Sequence, residues 1–151
     1  MTTRAPAAAD QAAKVVAGAL AALRNRAAGV MDQAYAPYSN FRVGAALLAA
    51  DGSIAVGCNV ESASYPAGTC AERMALGAAV AEGQRQFLAL AIATEADEPT
   101  PPCGMCRQAL VEFGPDLVIL SVTRGGREAR WSLGDLLPHA FTPHSLDHSR
   151  H

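Results

Sequence analysis

"FLALAIATEADEPTPPCGMCRQALVEFGPDLVILSVT", residues 87–123, decides the fold. Residues 87–94 are a nearly continuous apolar run, the pattern of a strand covered on both faces. "EADEPTPP" is a proline-punctuated loop. "CGMCRQALVEFG" reads as a helix stopped by Gly114-Pro115, and "LVILSVT" as a second buried strand. Strand, helix and strand in succession predict a parallel, right-handed unit over 87–122.

Working outward, "FRVGAALLAADGSIAVGCNVES" (41–62) is two apolar, β-branched runs joined by Asp51-Gly52, a strong hairpin signal. Residues 10–34 have a helical pattern that ends near "YAPYSN", whose Pro37, Ser39 and Asn40 mark a loop. Another helix is expected from about Thr69 to Glu82. Beyond the unit, "RGG" is a turn, "REARWSL" a last strand and "GDLLPHAF" a short helix. The order α-β-β-α-β-α-β-β-α predicts one α/β domain over 1–151, a three-layer α/β/α arrangement around a mixed five-stranded sheet. From about 142 onward the chain reads as a C-terminal tail.

Composition narrows the function classes. The 151 residues are 50% hydrophobic with a formal charge of −2, which offers no general basic footprint for nucleic acid or an anionic membrane. No run reaches the 18 or more apolar residues of a membrane span. The apolar patch near the N-terminus carries Asp10, Gln11 and Lys14, so it reads as an amphipathic helix rather than a signal peptide, and a reducing cytoplasm is expected. In that setting Cys58, Cys70, Cys103 and Cys106 point to metal or catalysis rather than disulfides.

Three of these thiols sit at predicted helix starts: Cys70 in "TCAERMAL" (69–76), Cys103 and Cys106 in the helix of the deciding stretch. A helix N-terminus carries roughly half a positive charge and stabilises a thiolate. Three converging thiolates repel one another and need a cation. Zinc prefers sulfur and tetrahedral geometry, and three protein ligands leave the fourth position open to water. Glu72, two residues from Cys70, then serves as the group that moves protons. Arg73 and Arg107, each close to a ligand, are expected to draw charge from the sulfurs.

Other readings explain less. A redox C-x-x-C leaves Cys70 and Glu72 without a role, and a closed four-cysteine site needs Cys58, which lies in a strand pattern with no second knuckle. Cys58 is expected to be a small buried apolar residue. His144, His148 and His151 suit a solvated tail better than a metal site. A non-catalytic zinc module has no need of Glu72.

Cys-x-Glu followed by Pro-Cys-x-x-Cys resembles the zinc deaminase signature, whose three-cysteine variant and non-ligand glutamate are known features of that class. "YAPYSNFRVGAAL", "GCNVESASYP", "CAERMAL", "PPCGMCRQAL", "EFG" and "LLPHAFTPHSL" together resemble the small homotetrameric cytidine deaminases, over about residues 30–146. The resemblance implies one zinc per chain on Cys70, Cys103 and Cys106, with Glu72 as proton shuttle and Arg73 bonded to the thiolates. It implies that Asn59 and Glu61 hold the ribose 3′-hydroxyl, that Phe41 packs on the pyrimidine and that backbone near Ala71 contacts the base. Phe141 is expected from a neighbouring subunit, so the partners are a nucleoside and further copies of the chain. The expected reaction converts cytidine and 2′-deoxycytidine to the uracil nucleosides and ammonia, in pyrimidine salvage. Ser62 departs from an asparagine common in the family, which touches substrate preference rather than chemistry. Deaminases of nucleoside antibiotics share the metal motifs, but Asn59, Glu61 and Phe41 favour an ordinary nucleoside.

Overall fold

The computed structural model describes residues 6–147. Strands β1 (Val43–Ala49), β2 (Ile54–Cys58), β3 (Phe87–Thr94), β4 (Val118–Thr123) and β5 (Glu128–Ser132) form one sheet in the order β2-β1-β3-β4-β5. β3 and β4 are parallel, with Ala89 opposite Val118, and the other neighbours are antiparallel. All eight residues of β3 are buried, as the unbroken apolar run requires of a central strand.

Side-chain alternation then divides the core in two. On one face Ala46, Leu48, Ala91 and Leu120 pack against Leu23, Ala27 and Met31 of α1 (Pro6–Met31). Its inward residues recur at helical spacing and make a stripe along the sheet. On the other face Ala45, Leu47, Leu90 and Ile119 meet α2 (Ala71–Ala81), α3 (Gly104–Val111) and α4 (Leu133–Leu136). The three-layer mixed sheet is therefore as expected.

Two glycines set how closely the layers approach. A Cβ on Gly44 would lie 2.0 Å from the Ala27 carbonyl oxygen of α1, and one on Gly57 would lie 2.4 Å from the Ala75 nitrogen of α2. The β1–β2 turn uses Gly52 at φ 90°, which a side chain would resist.

The elements depart from expectation at their ends. Within the described residues α1 spans Pro6–Met31, so the helix covers residues ahead of position 10 and stops short of 34. α4 stops at Leu136 because Leu137 precedes Pro138 and leaves helical geometry, at φ −135° and ψ 68°. Single 3₁₀ turns at Tyr65–Ala67 and Pro143–Leu146, each with proline at its start, were not anticipated. His144 is exposed in the second of them, and His148 and His151 lie outside the described residues.

Candidate active site

Two helix starts bring the thiols together. Cys70 is the N-cap of α2 and Cys103 the N-cap of α3, both in extended conformation with no hydrogen bond from the side chain to the helix. Cys106 follows within the first turn of α3 and is fully buried. The Cys70 Sγ–Cys103 Sγ distance is 3.8 Å and the Cys103 Sγ–Cys106 Sγ distance 3.6 Å. All three sulfurs lie within 4.8 Å of one another, the one such group of candidate ligands among the described residues. A tetrahedral zinc with bonds of about 2.3 Å spaces its sulfurs by roughly 3.8 Å. The trio fits that ion, and all four cysteines are free thiols.

The thiols titrate as a set. Hydrogen bonding from Cys106 lowers the Cys70 pKa to about 5 against the opposing effect of burial, while the Cys106 thiol is pushed up by Cys70. One sulfur thus ionises easily and the next resists, as expected where a second negative charge must share a dry pocket. A cation relieves that repulsion. Burial works against the charge of Arg73, but the thiols of Cys70 and Cys106 raise its pKa on balance. Its Nε is buried with no hydrogen-bond partner.

Arg107 corrects the expectation placed on it. Its Nε donates to the Pro102 carbonyl at 2.7 Å and its Nη1 to the Leu136 carbonyl at 2.8 Å, so it ties the α3 loop to α4. Cys58 sits on β2 outside the thiol group and is partly rather than fully buried.

Glu72 lies in the first turn of α2 and is 6% exposed. Burial lifts its pKa above the ordinary 4.5, and the Cys70 thiolate adds to the rise. A carboxyl so placed is suited to taking up and giving back a proton. Ala71 beside it is fully buried.

Residues 35–43 run along the segment that follows β2. Tyr35 N donates to the Asn59 carbonyl and Glu61 N to the Tyr35 carbonyl. Glu61 Oε1 accepts from Tyr38 N at 2.9 Å and Ser39 N at 3.0 Å; with Ser39 contributing most, these bonds hold Glu61 below its ordinary pKa. Asn59 accepts from Val43 N at 2.9 Å and donates to the Phe41 carbonyl at 2.8 Å. Asn59 and Glu61 therefore build the loop that carries Phe41, which is half-buried. That supporting role was invisible in the sequence, because the two segments meet only in the fold. Ser62 accepts from Ser64 N, which starts the turn toward Tyr65.

Phe141 stands apart, 58% exposed, with its carbonyl accepting from Gln108 Nε2 at 2.8 Å. Tyr38, Tyr65, Met74 and Met105 are likewise exposed. Cavities of about 340 and 710 Å³ lie beside α1, and neither is lined by the thiols.

A family model described as the cytidine and deoxycytidylate deaminase zinc-binding region matches residues 19–122. A cytidine deaminase of Sporosarcina psychrophila is 46% identical over 120 residues, 78% of this chain and 88% of that protein. One from Mycobacterium tuberculosis is 43% identical over 129 residues, 85% of this chain and 93% of that protein. The crystal structure of cytidine deaminase from Burkholderia pseudomallei superposes with a TM-score of 0.77 at 48% identity, covering 80% of this chain and 98% of that one.

Proposed function

The chain belongs to the cytidine and deoxycytidylate deaminase zinc-binding family, and from that premise we infer that it hydrolyses cytidine and 2′-deoxycytidine to the uracil nucleosides and ammonia. One observation carries the reading: three thiols spaced for one zinc, with the buried carboxyl of Glu72 two residues from the first of them.

Cys70, Cys103 and Cys106 would hold the metal, their sulfurs lying within 4.8 Å of one another. When bound, zinc supplies a Lewis acid that activates water for attack at C4 of the pyrimidine. Glu72 takes one proton from the attacking water and delivers it to N3, then takes the proton of the hydroxyl added at C4 and passes it to the exocyclic nitrogen, which leaves as ammonia as the C4–N bond breaks. Atoms balance: nucleoside and water become uracil nucleoside and ammonia. Arg73, whose charge is favoured by the thiols of Cys70 and Cys106, would draw charge from those sulfurs and offset three anionic ligands.

Substrate contacts extend the reading. Phe41 packs on the pyrimidine, and backbone at Ala71 meets the base. Glu61 spends Oε1 on Tyr38 and Ser39, leaving Oε2 for the ribose 3′-hydroxyl. Asn59 retains a second amide hydrogen for the same group. A nucleobase without ribose leaves Oε2 of Glu61 and that amide hydrogen of Asn59 without the contact a 3′-hydroxyl would make. Free cytosine is thus a poor substrate. Phe141 covers the pyrimidine of a neighbouring copy in a homotetramer, supported by its exposure and by the exposed Tyr65, Met74 and Met105. We assign the enzyme to the cytoplasm and to pyrimidine salvage; a reducing compartment suits its free thiols. No helix among the described residues is long and apolar enough to cross a membrane.

Incubation with cytidine tests the whole reading, by the ultraviolet shift to uridine and by ammonia release. Cys103→Ala should lose both zinc and turnover, whereas Cys58→Ala should keep one zinc per chain and most activity. No ammonia from zinc-loaded parental protein overturns the reading.

A further inference from the structure

Every backbone N–H from Tyr38 to Val43 has a defined acceptor. Tyr38 and Ser39 donate to Glu61, Asn40 to the Ala36 carbonyl, Phe41 to Ser39 Oγ, and Val43 to Asn59. The remaining amide, that of Arg42, donates to Glu95 Oε2 at 3.3 Å. Glu95 directly follows β3, where Thr94 lies opposite Val43, so one carboxylate faces the segment across the sheet's end. It also accepts from Arg42 Nε at 2.9 Å and from Arg42 Nη2.

Glu95 is itself anchored. Arg124, in the turn between β4 and β5, donates from Nη2 to Glu95 Oε1 at 3.3 Å and to Asp32 Oδ1 at 3.0 Å. The Glu95 side chain is only 25% exposed, less than any other member of this network. Asn40 carries the strain of the bend, with φ 54°. A segment with an unfavourable conformation and no regular secondary structure keeps its shape only if its surroundings over-determine it. Glu61 fixes its start, and Asn59 grips Phe41 and Val43. For Arg42, between those two, Glu95 takes both the backbone N–H and the guanidinium.

We propose that Glu95 is a positioning residue for substrate binding: through Arg42 it fixes the backbone that presents Phe41 to the pyrimidine. This rests on the assignment of Phe41 as the surface on which the base packs. Glu95 touches neither substrate nor metal ligands, so its loss weakens nucleoside binding while leaving chemistry at Glu72 intact.

Kinetics, zinc content and NMR of zinc-loaded Glu95→Ala decide it. The KM for cytidine should rise roughly fivefold or more, the scale of one ordinary hydrogen bond. The kcat should stay within about twofold, since the step that follows binding is untouched. Zinc content should be unchanged. Fluorine NMR of protein carrying 4-fluorophenylalanine at its four phenylalanines supplies a readout independent of turnover. The Phe41 resonance, assigned with Phe41→Leu, should shift or broaden in Glu95→Ala while those of Phe87 and Phe113 stay fixed.

Glu95→Gln, which keeps neutral acceptor oxygen, should fall between parent and alanine variant, and carries the comparison if the alanine variant does not fold. Glu128→Gln, which breaks the remote pair with Arg24, should leave KM and the Phe41 resonance unchanged. The proposal is overturned if the Phe41 resonance does not move, whatever happens to KM. It is equally overturned if kcat and the melting temperature fall at constant KM. Should the parent not deaminate cytidine, the functional reading fails, and the NMR comparison still decides whether Glu95 positions Phe41.

Discussion

At the first turn of α2, a carboxyl 6% exposed to solvent lies two residues from a thiol whose pKa is lowered to about 5. Both groups are poor helix-core residues, and the helix tolerates them because its free N–H groups and dipole favour negative charge there. Glu72→Gln preserves shape and leaves the three thiols in place. It should keep one zinc per chain by elemental analysis, yet lose at least about 10²-fold in turnover if Glu72 is the group that moves protons. Near-parental turnover would sink the assigned role. Spacing alone made the thiols and Glu72 legible. Arg107 was misread because its neighbour in sequence is a ligand, whereas the carbonyls of Pro102 and Leu136 claim its guanidinium in space.

Between elements, close approach decides stability. The Cβ of Gly44→Ala would stand 2.0 Å from a backbone oxygen of α1, and backbone cannot rotate aside as a side chain can. The variant should lose roughly 1–3 kcal/mol or more, read as a lower urea midpoint at unchanged slope. Gly18→Ala meets nothing within 4 Å on the same helix and should gain up to about 1 kcal/mol. Acid acts at this scale too. Glu95 is held below its ordinary 4.5 mainly by the hydrogen bond from Arg42, and Glu61 mainly by Ser39. The unfolded chain therefore binds more protons than the folded one between the lowered values and 4.5. Their contribution is complete above 4.5 and is lost as pH falls through the folded values. Melting temperature should drop across that window, and less steeply in Glu95→Gln; an equal slope would show that other groups dominate.

For the whole molecule, the open question is where one site ends and another begins. Phe141 lies after the last strand, 58% exposed, in a segment too polar and proline-punctuated to join the core. Water excluded from a metal site strengthens each electrostatic contact within it, so a cover from a neighbouring copy would matter to rate. Glu72→Ala and Phe141→Asp should each be nearly inactive. Co-expressed, they should regain activity well above the sum of the parents, because some sites combine an intact Glu72 with another copy's intact Phe141. Mixed assemblies confirmed by mass but no more active than that sum would confine Phe141 to its own chain.

The sequence by itself made the main elements and the candidate chemical groups legible. An all-apolar run marks β3, Asp51-Gly52 marks the hairpin, and Cys70, Glu72, Cys103 and Cys106 carry their meaning in spacing along helices, which local geometry preserves. Only the tertiary structure decided what depends on distant segments meeting. Asn59, Glu61 and Glu95 hang the Phe41 loop from the ends of two strands, Arg107 turns to carbonyls, and Gly44 and Gly57 admit helices onto the sheet. Residues so far apart in sequence leave no periodic or motif-like trace, because their interaction exists only once the hydrophobic layers have closed and fixed the register between strands.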